Sequence, residues 1–328
     1  MSFGARFLRH PGDAPASLEG EPWGEREVVL DLPGGPYHCG GLSAAQEDAV
    51  RATFPGSVLP GPHLAPPVAR PPVRLRLLRC AAEDFLPVDV RGWEYGLDFD
   101  WSPAAVRLAG LGLMARLEWG PDLAAALWTP AAGGPLFPGV FENLLRVLVA
   151  YRLLEIGCVV LHSAGVVRNG AAFLFLGRSG AGKTTVARLS LAAGAEVLSD
   201  DLNALCLARA LPGDGAAGAA GVTGVGAGCV VVKLPFTGDL GERRAVRPPV
   251  PLGALLRLEQ DVADALAPLS RAETLGCLLT CAPFVNVDPY RRDRLQQVLL
   301  DLLAAGAPRA CSLRFSLRGG FWSTIDSK

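Results

Sequence analysis

The run Gly177-Arg178-Ser179-Gly180-Ala181-Gly182-Lys183-Thr184 constrains this chain more than any other stretch, because it is a complete G-x-x-x-x-G-K-[ST] pattern. Its neighbours fit the pattern too. Residues 172–176, Ala-Phe-Leu-Phe-Leu, are a short continuous apolar run of the kind that forms a buried strand. Residues 185–191 continue without a breaker and read as a helix that reaches Gly194. Strand, glycine loop and helix in that order require an α/β fold. Glycines let consecutive backbone N–H groups turn toward a phosphate, and the helix N-terminus adds its positive end. Lys183 can then bridge the β- and γ-phosphates while the Thr184 hydroxyl ligates Mg²⁺. The implied ligands are ATP and Mg²⁺. The residues expected to line them are Gly177, Arg178, Ser179, Gly180, Ala181, Gly182, Lys183, Thr184 and Thr185. The competing explanation is a glycine turn with a surface lysine.

A second signal follows one helix later in Ala195-Glu196-Val197-Leu198-Ser199-Asp200-Asp201. The Val-Leu pair reads as the tail of a strand that delivers two carboxylates to the phosphate end of a sheet. Adjacent acids repel unless a cation or a proton separates their charges. Mg²⁺–ATP meets that need: one acid holds the metal and the other accepts the proton of an acceptor hydroxyl. A solvated Asp-Asp turn is the bland alternative, and its position after the glycine loop argues against it.

Length and composition set the frame. At 328 residues the chain is long for a single core, so two lobes are expected. Half of it is hydrophobic and 19% is charged, which excludes a disordered chain. With 31 basic and 32 acidic side chains the net charge is −1, so no bulk attraction draws it to nucleic acid or anionic lipid. No long apolar run is free of charge and no leader pattern opens the chain, so a cytoplasmic protein without a membrane span is expected. The eight cysteines contain no Cys-x-x-Cys pair and are expected to be mostly buried thiols; Cys277 and Cys281 would share one helix face.

Residues 1–137 are expected to form a β-rich N-terminal lobe, because Pro and Gly break helical periodicity early and residues 73–77 and 106–117 alternate. The isolated His10, His38 and His63 carry no motif. Residues 138–328 are expected to form the nucleotide-binding domain, with a mixed sheet. In it, residues 140–156 read as a long buried helix and residues 158–176 as a hairpin turning at Asn169-Gly170. The Gly/Ala-rich residues 211–228 read as a loop, Ser270-Arg271-Ala272-Glu273 as a capping box, and Asp288-Pro289 as the opening of another helix. Residues 311–318 alternate as a strand, followed by Phe321-Trp322.

The glycine loop of the form G-x-S-G-x-G-K-T, Leu161-His162 before it and the Asp-Asp pair after it resemble HPr kinase/phosphorylase, a serine kinase with a phosphoenolpyruvate-carboxykinase-like nucleotide fold. The likeness is closer to the HPr-kinase-like proteins that are not the bifunctional regulator. It is carried by the Glu-Asn-x-Leu-Arg helix at 142–146, Leu-His-Ser-Ala-Gly-Val at 161–166, the Pro-Phe-x-Gly-Asp-Leu segment at 235–240 and the terminal Phe-Trp. It spans roughly residues 138–328. The resemblance implies phosphate contacts at Gly177 to Lys183, metal at Thr184 and Asp201, a general base at Asp200, and His162 beside the phosphates. The two aspartate roles are interchangeable at this point. An E-x-R-G-x-G segment, tied in the family to phosphorylase activity, is not found, so neither that activity nor HPr as substrate follows. Lys233, Arg243 and Arg244 are candidate clamps for the transferring group.

The expectation is therefore an ATP-dependent kinase acting on a hydroxyl, a serine of a protein or peptide whose identity the sequence does not give. The alternatives are a small-molecule kinase for an amino acid or sugar, and an ATP-binding regulatory module without catalysis. A homo-oligomer is compatible with all three.

Overall fold

The computed structural model describes residues 3–60, 71–87, 96–211, 228–236, 238–241, 248–305 and 309–327. They form a mixed α/β protein with two mixed sheets and, among the described residues, six α-helices. None of these helices is long and apolar enough to cross a membrane. The chain divides into two units, Met1–Arg152 and Leu153–Lys328.

The first unit holds a seven-stranded sheet. Its strands are β1 (Arg26–Leu30), β2 (Tyr37–Leu42), β3 (Val73–Arg79), β4 (Leu97–Trp101), β5 (Ala105–Gly110), β6 (Leu113–Trp119) and β7 (Leu123–Thr129), in the order β1-β2-β3-β7-β6-β5-β4. The β2/β3 and β3/β7 pairs are parallel and the others antiparallel. In β3 the expected alternation is seen: Val73, Leu75 and Leu77 are buried while Arg74 and Arg76 face solvent. Leu78 breaks the alternation because it packs among Phe7, Phe85, Met114 and Trp128 on the other side.

One helix of this unit was not expected. Between β2 and β3 lies α1 (Ala44–Thr53), among the glycines and prolines that argued against helix. A capping box starts it: Ser43 Oγ accepts from Gln46 N at 3.1 Å, and Gln46 Oε1 accepts from Ser43 N at 2.9 Å. The long helix α2 (Phe137–Glu155) follows β7. The division between units falls inside it, after Arg152, rather than ahead of it. The reason is local: Arg152 donates through Nε to Gly34 O and through Nη2 to Pro71 O, both at 2.9 Å, which ties most of α2 to the first unit.

The second unit holds an eight-stranded sheet of β8 (Cys158–Arg168), β9 (Ala171–Leu176), β10 (Glu196–Ser199), β11 (Leu202–Leu207), β12 (Cys229–Lys233), β13 (Val250–Gln260), β14 (Ala265–Pro268) and β15 (Arg309–Phe315). Its helices are α3 (Lys183–Ala192), α4 (Arg271–Cys281), α5 (Arg292–Ala304) and α6 (Phe321–Asp326). The β8–β9 hairpin turns where the sequence places it, with Asn169 at φ 52° and Gly170 at φ 77°. Strand β9 then pairs in parallel with β13, which pairs in parallel with β15. Long β8 pairs with β11 through residues 158–162 and with β10 near its other end.

The core beside the glycine loop is aromatic. Phe175 of β9, Phe315 of β15, and Phe321 and Trp322 of α6 meet edge to face, with Val186 and Ala187 of α3 packed among them. Trp322 Nε1 donates to Ser190 Oγ at 3.1 Å, so the terminal helix braces α3. The Phe-Trp pair thus lies in a helix, and the preceding strand ends at Phe315 rather than continuing to residue 318. Helix α5 begins at Arg292, a few residues after Asp288-Pro289: Asp288 Oδ1 accepts from Tyr290 N at 2.7 Å and closes a turn first.

Cys158 and Cys206 are register partners on β8 and β11, 4.4 Å apart at Cα, and form a disulfide. That pair departs from the expectation of thiols, whereas the other six cysteines are free and mostly buried as expected, with Cys80 and Cys277 half-buried.

Candidate functional site

Strand β9 stops at Leu176, and the glycine loop links it to α3. Two glycines take left-handed backbone, Gly180 at φ +79° and Gly182 at φ +101°. Gly182 also leaves no room for a side chain: a Cβ there would stand 2.6 Å from Phe315 Cζ. A Cβ on Gly177 would stand 2.6 Å from that of Ala181. The loop is therefore held closely against the aromatic core at Gly182 and folded tightly on itself at Gly177, while its crest of Arg178, Ser179 and Gly180 is exposed. Gln260 Nε2 donates to Gly180 O at 2.9 Å and fixes that crest to β13.

Lys183, the first residue of α3, is only 7% exposed. Its Nζ donates to Gly177 O at 3.0 Å and to Arg178 O at 3.1 Å, curling back over the loop. Burial lowers the lysine pKa, and negative charge on Cys281, Asp201 and Asp239 works in the opposite direction. Thr184 Oγ1 donates to Asp239 Oδ2 at 3.3 Å. Thr185 is half-buried in the next position.

The Asp-Asp pair occupies the turn between β10 and β11. Ser199 Oγ accepts from Asp201 N at 3.1 Å and from Leu202 N at 3.2 Å, and Ser163 N donates to Asp201 O at 2.9 Å. Beneath the turn, wholly buried Asn203 donates through Nδ2 to Ser163 O at 2.8 Å and Ser163 Oγ at 3.1 Å. The turn is thereby tied to β8, the strand that carries His162. His162 Nε2 stands 3.5 Å from Asp201 Oδ1.

The two aspartates face different surroundings. Asp201 lies within electrostatic reach of Lys183. Asp200 is 5% exposed and turns toward the segment containing Gly238 and Leu240, whose backbone N–H donates to Asp200 Oδ1 at 3.4 Å. Its other oxygen, Oδ2, is buried and has no hydrogen-bond partner among the described residues. A buried carboxylate oxygen without a donor is costly, and a cation, a proton or an acceptor hydroxyl would relieve it. Gly238 permits this contact, since a Cβ there would collide with Asp200 Oδ1.

The structure thus brings together Gly177 to Thr184, Asp201 and, through Asp201, His162. It adds Asp239, which the sequence reading did not single out although it lies in the Pro-Phe-x-Gly-Asp-Leu segment. Lys233 is buried at the end of β12, paired in register with Asn203. Arg243, Arg244 and most of the Gly/Ala-rich loop lie outside the described residues.

Among the described residues, no group of three or more His, Cys, Asp and Glu side chains forms a metal cage. The donors at hand are oxygens: the Thr184 hydroxyl and the Asp201 and Asp239 carboxylates. They suit Mg²⁺, which takes one or two carboxylates and fills its other positions with phosphate oxygens and water. A cleft of about 710 Å³ opens beside the loop, between residues 177–181 and the α4 residues Glu273, Gly276, Cys277, Thr280 and Cys281. No protein-family model matches this chain, and no curated protein matches it.

Proposed function

We propose that the second unit is an ATP-dependent phosphotransferase with an HPr-kinase-like P-loop core, acting on a serine hydroxyl of a protein or peptide. One observation carries the reading: a glycine loop with a buried lysine folded over it, facing acids from the Asp200-Asp201 turn and from Asp239. In this reading the loop N–H groups and Lys183 bind the β- and γ-phosphates. The Lys183 ammonium exchanges its two carbonyl partners, Gly177 O and Arg178 O, for phosphate oxygens when ATP enters. Thr184, Asp201 and Asp239 would hold Mg²⁺, which when bound would supply positive charge against the phosphates.

In this reading Asp200 is the general base. Its unpartnered Oδ2 can accept the acceptor's hydroxyl proton as the oxygen attacks the γ-phosphorus and ADP leaves in line. Asp201 stands nearer the lysine, as a metal-linked acid would, and His162 orients it.

Incubation with γ-labelled ATP, Mg²⁺ and a cell extract tests the acceptor class. Label in acid-stable phosphoserine on polypeptides supports the reading. Label recovered solely in small molecules favours the small-molecule kinase, and no transfer despite ATP binding favours a regulatory module.

A further inference from the structure

We propose that Cys277 and Cys281 form a peroxide-sensitive dithiol beside the glycine loop, with Cys281 the attacking thiol and Cys277 the resolving one. Both side chains line the cleft of about 710 Å³ whose facing wall is the loop itself. They lie one turn apart on α4, and four residues of helix advance about 6 Å. That is within the Cα range of about 4.4–6.8 Å that a disulfide spans. Helical Cβ atoms four residues apart stand about 5–6 Å apart, however, so the last turn of α4 must loosen to bring them to the roughly 3.5–4.5 Å that the bond needs. Cys281 is the last residue of α4, where the next N–H, of Ala282, bonds to Leu279 O rather than continuing the helical ladder. The C-terminal turn is therefore the part of α4 best able to adjust.

The surroundings of Cys281 favour its thiolate. The Cys277 thiol donates to its sulfur, the Gly177 backbone N–H donates to it as well, and the Lys183 ammonium is close; together they outweigh burial and draw its pKa below the ordinary 9.0. Cys277, as the donor, is pushed up. The other charged groups lining the cleft are Arg178 and Arg257 on the positive side and Glu259 and Glu273 on the negative. Elsewhere burial raises Cys39 and Cys80 to about 12 and Cys229 to about 11. Reactivity follows thiolate character, so Cys281 stands apart from them.

The chemistry balances with a hydroperoxide as the oxidant. The Cys281 thiolate attacks the terminal peroxide oxygen, the O–O bond breaks, and hydroxide or an alcohol leaves after protonation, giving a sulfenic acid. The Cys277 sulfur then attacks the Cys281 sulfur, the S–O bond breaks, and water leaves with the thiol proton as the disulfide forms. Two thiols are oxidised by two electrons and one peroxide is reduced. Phosphates bound at the loop would compete for the Gly177 N–H and Lys183 that stabilise the thiolate. This last coupling rests on the nucleotide reading; the dithiol chemistry does not.

The test treats the full chain with limiting hydrogen peroxide, blocks remaining thiols and maps the cysteines by mass spectrometry. The expected result is a Cys277–Cys281 disulfide forming at least about tenfold faster than any change at Cys39, Cys80 or Cys229. Cys277→Ser should stop at a sulfenic acid on Cys281, trapped by dimedone, and Cys281→Ser should leave Cys277 reduced. Absence of that disulfide in the folded wild-type chain, or oxidation of Cys281 no faster than Cys80, overturns the proposal, and this measurement needs no variant to fold. A parallel sample with Mg²⁺–ATP should oxidise several-fold more slowly. Disulfide formation with a rate indifferent to ATP upholds the dithiol and counts against the nucleotide reading instead.

Discussion

The two units are both built on mixed sheets and both close charge pairs, the second at Arg168–Asp326, Arg257–Glu259 and Arg314–Asp261, yet they differ in how they hold one buried aspartate. In the first, charges close on one another along the sheet: Arg6 with Asp98, Arg107 with Asp100, Arg116 with Glu118 and Arg74 with Asp122. Even Asp98, whose Oδ2 is buried without a hydrogen-bond partner among the described residues, has Oδ1 held by two nitrogens of Arg6. In the second unit Asp200 is buried against one backbone N–H among the described residues, at 3.4 Å, in a turn that also presents Asp201 to Lys183. In the proposed reading, Asp200 is the carboxylate kept ready for a ligand.

Substitutions that treat the units alike should expose this difference. The largest effect is expected from Asp200→Asn, which keeps shape and removes the base: transfer should fall about 10²–10⁴-fold with ATP affinity nearly unchanged, as single-turnover rates and titration would read. Should Asp201→Asn behave that way instead, the two aspartate roles are exchanged. Asp98→Asn, its counterpart in the first unit, should lower stability by about 1 kcal/mol and leave transfer intact.

Gly182→Ala comes next. It forces a side chain into left-handed backbone and against Phe315, so a loss of about 2–5 kcal/mol in denaturant unfolding is expected. Gly180→Ala meets open space and should cost about 1–2 kcal/mol from backbone strain alone. Equal losses at the two positions would mean that the loop does not rest on the aromatic core. The smallest effect is assigned to Ser43→Ala, which removes the α1 cap at about 1 kcal/mol and should leave ATP turnover unaltered.

Much of the second unit was legible because its signals are local. Asn169-Gly170 fixes a hairpin turn by backbone preference, and Ser270 and Glu273 exchange capping bonds at 3.2 and 2.8 Å, as their spacing predicts. The capping box at Ser43 and Gln46 was equally local, but nearby glycines and prolines drew the reading toward strands. What escaped depends on long-range pairing. The Cys158–Cys206 disulfide joins residues 48 apart through a β8/β11 register that no local pattern encodes. Asp239 reaches Thr184 across 55 positions, and only the placement of residues 238–240 against the Asp-Asp turn brings it there. The glycine loop itself could be read, but the contact of Cys281 with Gly177 could not, since it requires α4 to pack beside the loop.

The central claim is that the loop from Gly177 to Thr184 cradles the phosphates of ATP. Calorimetric titration of Mg²⁺–ATP into the wild-type chain and into Lys183→Ala tests it most directly. The account predicts one site per chain in the wild type and an affinity at least about 100-fold weaker in the variant, the loss of a buried charge-assisted phosphate contact. No binding by the folded wild type, or equal binding by the two proteins, would contradict it.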